Sequence, residues 1–305
     1  MLWLTLAFCG PILWAASTHI DKYLVERFFK ESGVGVLLIF TALIGLLPLP
    51  FIAAFDPDVT RIPLAGAAVI MTSGLLYMGA MYFYLGALQQ EEASVVAPLF
   101  QASPIFAYAL AYAVLGETLS GKQLLGGAAV MASAALVSYE PGARGRRIKL
   151  RLVGLMLACA LSLALSSVIF KFFAVNDAFW ATTFWTFVGE AVFGAVLLAI
   201  PSFRRQFAGM FAQSPGAIVA INGVNELINL VGGLGVRYAS ILGPLALVQA
   251  VGSTTPLFVF LFGVGLSLFV PSLSREDLSR GSLVRKAAAV GFIVAGVILI
   301  GGPAA

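Results

Sequence analysis

Ten apolar runs constrain this chain more than any other feature. They fall at about 2–22, 34–54, 63–88, 93–115 and 121–139, then at about 152–173, 178–200, 215–237, 241–269 and 284–303. A helix needs about 20 apolar residues to cross the hydrocarbon core of a bilayer. Within that core a span must satisfy its own backbone N–H and C=O groups, which a helix does. The expected fold class is therefore an all-α polytopic membrane protein with ten transmembrane helices. Composition agrees: 60% of the 305 residues are hydrophobic and 10% are charged, against about 25% charged in a soluble domain. The stretches between runs are too short for a folded domain, which needs at least about 50 residues. A soluble catalytic domain and a DNA-binding domain are excluded.

The net charge of +4 carries no nucleic-acid signal. The basic residues sit in short loops between apolar runs, where they set membrane orientation. The two cysteines, Cys9 and Cys159, lie inside apolar runs without a CxxC partner and read as small buried hydrophobes. The start, MLWLTLAFCGPILWAA, has no basic n-region and reads as a first span rather than a signal peptide. The sequence has no P-loop, HExxH or histidine cluster. Neither a metal nor a cofactor is expected, and ATP is not expected to act directly.

The two sets of five runs carry a weak internal repeat. Ser17-Thr18 with Lys22 matches Ser166-Ser167 with Lys171 at a shift of 149, and Gly86 matches Gly235. Ala93-Ser94 matches Ala239-Ser240 at a shift of 146, as Pro98 matches Pro244. The last spans, GGAAVMASAALVS (126–138) and AAAVGFIVAGVIL (287–299), are both rich in small residues. This divides the chain into an N-terminal five-helix repeat (1–140), a basic connecting loop (141–151) and a C-terminal five-helix repeat (152–305). Five is odd, so the two halves enter the membrane in opposite directions. Such an inverted repeat is used to rock two halves about a midplane site by alternating access.

The stretch 85–138 resembles the EamA-like family of the drug/metabolite transporter superfamily. The resemblance rests on Ala87-Leu88, Ala93-Ser94, Pro104, Gly116-Glu117 and Gly126-Gly127. The second half keeps Ala239-Ser240 and Pro256, while LSLFVPSLSREDLS replaces the Gly-Glu turn. The resemblance implies secondary transport of small metabolites, often export, with both termini in the cytoplasm. Counting Lys and Arg by loop gives the opposite orientation. Thirteen lie in the loops after spans 1, 5, 7 and 9, and three (Arg61, Lys122 and Arg237) on the other side. By the positive-inside rule the 141–151 loop is cytoplasmic and both termini are outside.

Ionisable residues at mid-membrane face a cavity or a partner. Glu190 and Glu226 sit near the middle of the seventh and eighth runs, in positions that suit proton coupling. Asn222, Asn225, Glu226 and Asn229 share one face of a helix, which points to a wet cavity or to interhelical hydrogen bonds. Lys22 and Lys171 are repeat-related and near span ends. Each either snorkels or serves as a gate or an anchor for an anion. His19, the only histidine, is of a type suited to proton relay. Gln101 before Pro104, and Gln249 before Pro256, are polar residues next to a proline that permits bending. Trp14, Tyr82 and Trp185 are aromatics that pack, or hold a cation by cation–π contact.

Substrate binding is thus expected of Trp14, Tyr82, Gln101, Trp185, Asn222, Asn225, Asn229 and Gln249. Coupling or gating is expected of Glu190, Glu226, Lys22, Lys171 and His19, and hinge bending of Pro104 and Pro256. Acidic and basic candidates would both be satisfied by an amino acid or another amphoteric solute, exported by a monomer in a bacterial inner membrane and coupled to protons or another gradient. A flippase for a lipid-linked or amphiphilic substrate is the alternative. No enzymatic activity is expected.

Overall fold

The structure, a computed structural model of the chain, describes residues 2–28, 34–89, 96, 99–100, 102–138, 150–176, 178–213, 215–269 and 279–301. Among these there are helices and the turns that join them, and no strand. In chain order the helices are α1 (Leu2–Phe28), α2 (Val34–Ile44), α3 (Pro48–Phe55), α4 (Leu64–Leu88), α5 (Ala102–Leu115), α6 (Gly121–Ser138) and α7 (Leu150–Asn176). Then come α8 (Phe179–Ala199), α9 (Pro201–Gln213), α10 (Pro215–Leu242), α11 (Leu245–Gly252), α12 (Thr255–Phe269) and α13 (Arg280–Gly301). A 3₁₀ turn, Pro57–Thr60, follows α3.

Eight segments among the described residues are long and apolar enough to cross a membrane, two fewer than the ten expected runs. The chain is an integral membrane protein. The run at 93–115 is described chiefly as the shorter apolar helix α5. The run at 121–139 is α6, whose first turn carries Lys122 and Gln123, and these dilute its hydropathy. Two other boundaries differ from expectation. The stretch at 201–210, expected as a break, is part of α9, which turns Phe203 and Phe207 onto the core and leaves Arg204 and Arg205 exposed. This is the pattern of an interfacial helix. The eighth run, expected to end at 237, continues to Leu242, because Tyr238 to Leu242 contain no breaker and Gly243-Pro244 supply the stop.

Proline sets many of the helix starts. Pro48, Pro201 and Pro215 open α3, α9 and α10, and Pro256 is the second residue of α12. Its fixed φ suits the first turn and its missing N–H is one the helix would leave unpaired there. Two spans are broken as a result. Val34–Phe55 is interrupted between α2 and α3, where Leu46 and Leu47 donate to Leu43 and Ile44 at 3.2 and 2.9 Å in tight three-residue turns. Leu245–Phe269 is interrupted at Ser253-Thr254, immediately before the predicted hinge residue Pro256.

Lipid offers no hydrophobic drive for helix association, so close van der Waals approach carries it. α4 crosses α8 where Gly74 faces the backbone of Thr186 and Gly189 faces the backbone of Met71. No side chain fits at either glycine. The Ser73 and Thr186 hydroxyls meet there at 3.0 Å, and the Ser166 hydroxyl of α7 donates to the Ser73 carbonyl at 2.8 Å. α6 crosses α13 in the same manner through Gly126 and Gly296. Leu125, Leu161, Val196, Phe262 and Ile298 point outward, as lipid-facing residues do.

Gly189→Ala is expected to lower the Tm of detergent-purified protein through overpacking worth about 1–3 kcal/mol or more. Gly79→Ala, where a Cβ meets open space, is expected to leave it unchanged. Equal Tm values for the two variants would contradict the close crossing.

Candidate functional site

The polar face of α10 points into the bundle. Asn222 and Asn225 are each 1% exposed. The Asn225 amide Nδ2 donates to Asp21 Oδ1 of α1 at 2.6 Å, and the Ser17 hydroxyl donates to Asp21 Oδ2 at 3.5 Å. The Thr41 hydroxyl, on the last turn of α2 before its break, donates to Glu226 Oε1 at 2.8 Å. Asn229, one turn further along α10, also hydrogen-bonds the Glu226 carboxyl. Two carboxyl groups thus hydrogen-bond to neighbours on α1, α2 and α10. Two buried amide atoms beside them, Asn222 Nδ2 and Asn225 Oδ1, have no hydrogen-bond partner. One is a donor and the other an acceptor, and each unpaired group costs about 1–3 kcal/mol.

Further along the same face lies Arg237. From Glu226 to Arg237 is eleven residues, about 1100° at 100° per residue, so the two side chains share one face. Arg237 is not a loop residue, as the charge count by loop assumed. Its guanidinium donates to Glu190 Oε1 of α8 at 2.6 Å. It also lies over the rings of Phe187 and Phe170, 4.8 and 5.5 Å from the centroids. Removing it from the loop tally leaves Arg61 and Lys122 on the sparser side, which sharpens the charge asymmetry. Tyr77 of α4 lies within electrostatic reach of Glu190, Arg237 and Glu226, so the two parts of the site are neighbours.

A second ionic knot sits at the residue after Phe170 of α7, Lys171, near the same end of the helix. Lys171 does not snorkel. It is buried, pairs with Glu117 and donates to the Gly243 carbonyl at 2.6 Å. Gly116 takes a φ of +67° just past α5, a left-handed conformation that glycine adopts without strain. The reversal sends Glu117 across to accept from the backbone N–H of Leu245 at 2.8 Å. That N–H starts α11 and has no partner within its own helix. The Gly-Glu pair that carries the family resemblance therefore ties α5, α7 and the α10–α11 turn together.

The other expected residues are dispersed. His19 Nε2 donates to the Val259 carbonyl of α12 at 3.0 Å. Trp14 packs beside Gly10 and Gly232, in the contact between α1 and α10. Trp185 donates to the Val59 carbonyl at 2.8 Å, a tether to the 3₁₀ turn away from the stripe. Gln249 donates to the Ser167 hydroxyl at 2.7 Å. Tyr82 lines a separate crevice of about 280 Å³ with Gln89, Arg151 and Phe203. Pro104 is buried in the first turn of α5. Gln101 and the side chain of Lys22 lie outside the described residues.

Four residues of this arrangement were not among the sequence candidates. Asp21 adjoins Lys22 at a run end and was absorbed into that boundary. Arg237 sits where the eighth run was taken to stop, although its spacing from Glu226 put it on the same face. Glu117 was legible only as a motif residue. Thr41 is a lone hydroxyl in an apolar run and gives no sequence signal.

The comparisons with known proteins agree with this architecture. Residues 1–139 match the model of the EamA-like transporter family. That family is part of the drug/metabolite transporter superfamily, so the resemblance read from the sequence holds over this stretch. That family is one of membrane transporters, and the match covers the first 139 of the 305 residues. A solved structure, described only as a crystal structure of a protein, is similar over 98% of this chain and 96% of its own, with a TM-score of 0.64 and 16% identity. At that identity the likeness speaks for the fold alone. No curated protein matches the chain.

Lys171→Met is expected to destabilise the protein by about 1–3 kcal/mol, because it leaves the half-buried Glu117 carboxylate without its cation. Lys171→Met with Glu117→Gln is expected to recover part of that loss. Thermal unfolding in detergent reads both, and a single variant as stable as the parent would contradict the knot.

Proposed function

We propose that the chain is a secondary active exporter of a small amphoteric solute such as an amino acid. It works as a monomer by alternating access between two inverted halves, 1–140 and 152–305, joined by the loop 141–151. Protons are the coupling ion and Glu226 is the coupling group. The setting is a bacterial inner membrane. Asn222, Asn225 and Asn229 line the solute path, and Glu190 stands at its far end.

One observation carries the reading. Asn222 Nδ2 and Asn225 Oδ1 are buried without partners next to Asp21 and Glu226. Unpaired polar atoms at the centre of a membrane bundle have a large cost and no structural use. A solute with both a donor and an acceptor satisfies them.

The helix packing supports two related halves. α1 lies along α10 as α7 lies along α4, and α1 meets α12 as α7 meets α5. α6 pairs with α13, and α2 with α8. These are the pairs that a two-fold axis in the membrane plane would generate. One pair departs from it. α4 closes tightly on α8 through Gly74 and Gly189, whereas its counterpart, α10 with α2, is much more sparsely packed and holds the Thr41–Glu226 pair. Unequal packing of related pairs is what alternating access needs. The halves rock so that the sparse pair tightens while the tight pair loosens.

Glu226→Gln keeps the hydrogen bond from Thr41 and removes the titrating group. In proteoliposomes with an imposed pH gradient, the parent is expected to move labelled amino acids against their gradient. The variant is expected to lose this concentrative movement while retaining its fold by thermal unfolding. Unchanged concentrative transport would contradict the role of Glu226.

A further inference from the structure

An arginine inside a membrane span needs an explanation beyond adhesion. A buried ion pair seldom stabilises a fold more than apolar residues of the same volume would, because both charges lose their water. Arg237 and Glu190 are so placed, between α10 and α8. Their burial is unequal, however. The Glu190 side chain is 5% exposed and that of Arg237 is 19% exposed. A guanidinium offers five N–H donors in a flat fork. One terminal nitrogen is engaged with Glu190 Oε1. None of the other guanidinium nitrogens is among the buried atoms without a partner, and the side chain is not fully covered. The Phe170 and Phe187 rings hold the plane of the fork, as aromatic faces hold a weakly hydrated cation.

We propose that Arg237 takes the carboxylate of the transported solute, and that Glu190 is its resident stand-in. The inference deepens the transporter reading and rests on it. Arg237 lies on the same face of α10 as Glu226, eleven residues on, so a solute path along that face reaches it. The local charges select the anion. Arg237 pairs with Glu190, one charge against one. A monocarboxylate replaces Glu190 charge for charge, whereas a dianionic phosphate would bring a second negative charge that this pair does not balance. Glu226 and Arg237 are about 16 Å apart along the helix axis at 1.5 Å per residue. A small solute therefore meets the acidic end and the arginine in succession. Its donor group meets Glu226 and Asp21 at one end of the path, and its carboxylate meets Arg237 at the other.

Binding by the full-length protein in nanodiscs tests this, with free L-amino acids and the matching L-amino acid amides as probes. At least one acid is expected to raise Tm at millimolar concentration, with no effect from its amide. Glu190→Gln removes the resident competitor and is expected to tighten that acid by about threefold or more. A purely structural ion pair would show no such gain. Arg237→Gln combined with Glu190→Gln leaves no unpaired charge and is expected to weaken the acid at least tenfold. The proposal is overturned if no acid binds, if the amide binds as well as the acid, or if the double variant binds like the parent. Flux of the same acid in proteoliposomes separates the two readings. Binding with the expected pattern but no flux would sink the transporter reading and leave Arg237 as a carboxylate site. Undiminished flux through the double variant would do the reverse.

Discussion

Lipid supplies no hydrogen-bond partner, and this fact organises the interior of the protein. Each ionisable side chain that enters a span must be met by another part of the chain or by a solute. Glu190 is met by Arg237, Lys171 by Glu117 and the Gly243 carbonyl, Asp21 by Asn225 and Ser17, and Glu226 by Thr41. All but the Ser17–Asp21 contact join helices distant in sequence, so the polar groups also fix which helices are neighbours. Among the described residues the Asn222 and Asn225 amides each keep one buried atom without a partner, as do the hydroxyls of Ser103, Thr182 and Thr183. The two amides sit where α1, α2 and α10 converge, and their unmet demand marks the position a solute would fill.

Close packing complements these polar links. The glycines at the α4–α8 and α6–α13 crossings bring backbones into contact, which suits surfaces that gain nothing from leaving lipid. The polar cluster lies on the side where α2 meets α10, and both the break after α2 and the break at Ser253-Thr254 leave short segments free to pivot. In the proposed cycle, tight crossings would act as rigid bodies and broken spans as the places where they rotate.

Much of this was legible in the sequence. The apolar runs gave the helical membrane class and most boundaries. Periodicity put Asn222, Asn225, Glu226 and Asn229 on one face, and mid-run position singled out Glu190 and Glu226. The parts that escaped lie at run ends, where a charged residue reads equally as a loop residue. Arg237 was assigned to a loop because helix α10 was cut short at it, and Asp21 was overshadowed by Lys22. Lys171 has the position of a snorkelling lysine. Only the turn made by Gly116 reveals the carboxylate waiting for it. Trp185 was chosen for its proximity to Glu190 in sequence, yet one turn of helix directs its indole to Val59 instead. Tertiary partners decide such cases, and a single sequence does not name them.

Accessibility of the polar stripe from the two membrane faces tests alternating access most directly. A cysteine introduced at Asn229, in a background with Cys9 and Cys159 replaced, can be exposed to a membrane-impermeant thiol reagent from one face of oriented vesicles at a time. The account predicts reaction from both faces, with transported solute protecting the site from each. Reaction from one face alone, with or without solute, would contradict a cavity that opens alternately to the two sides.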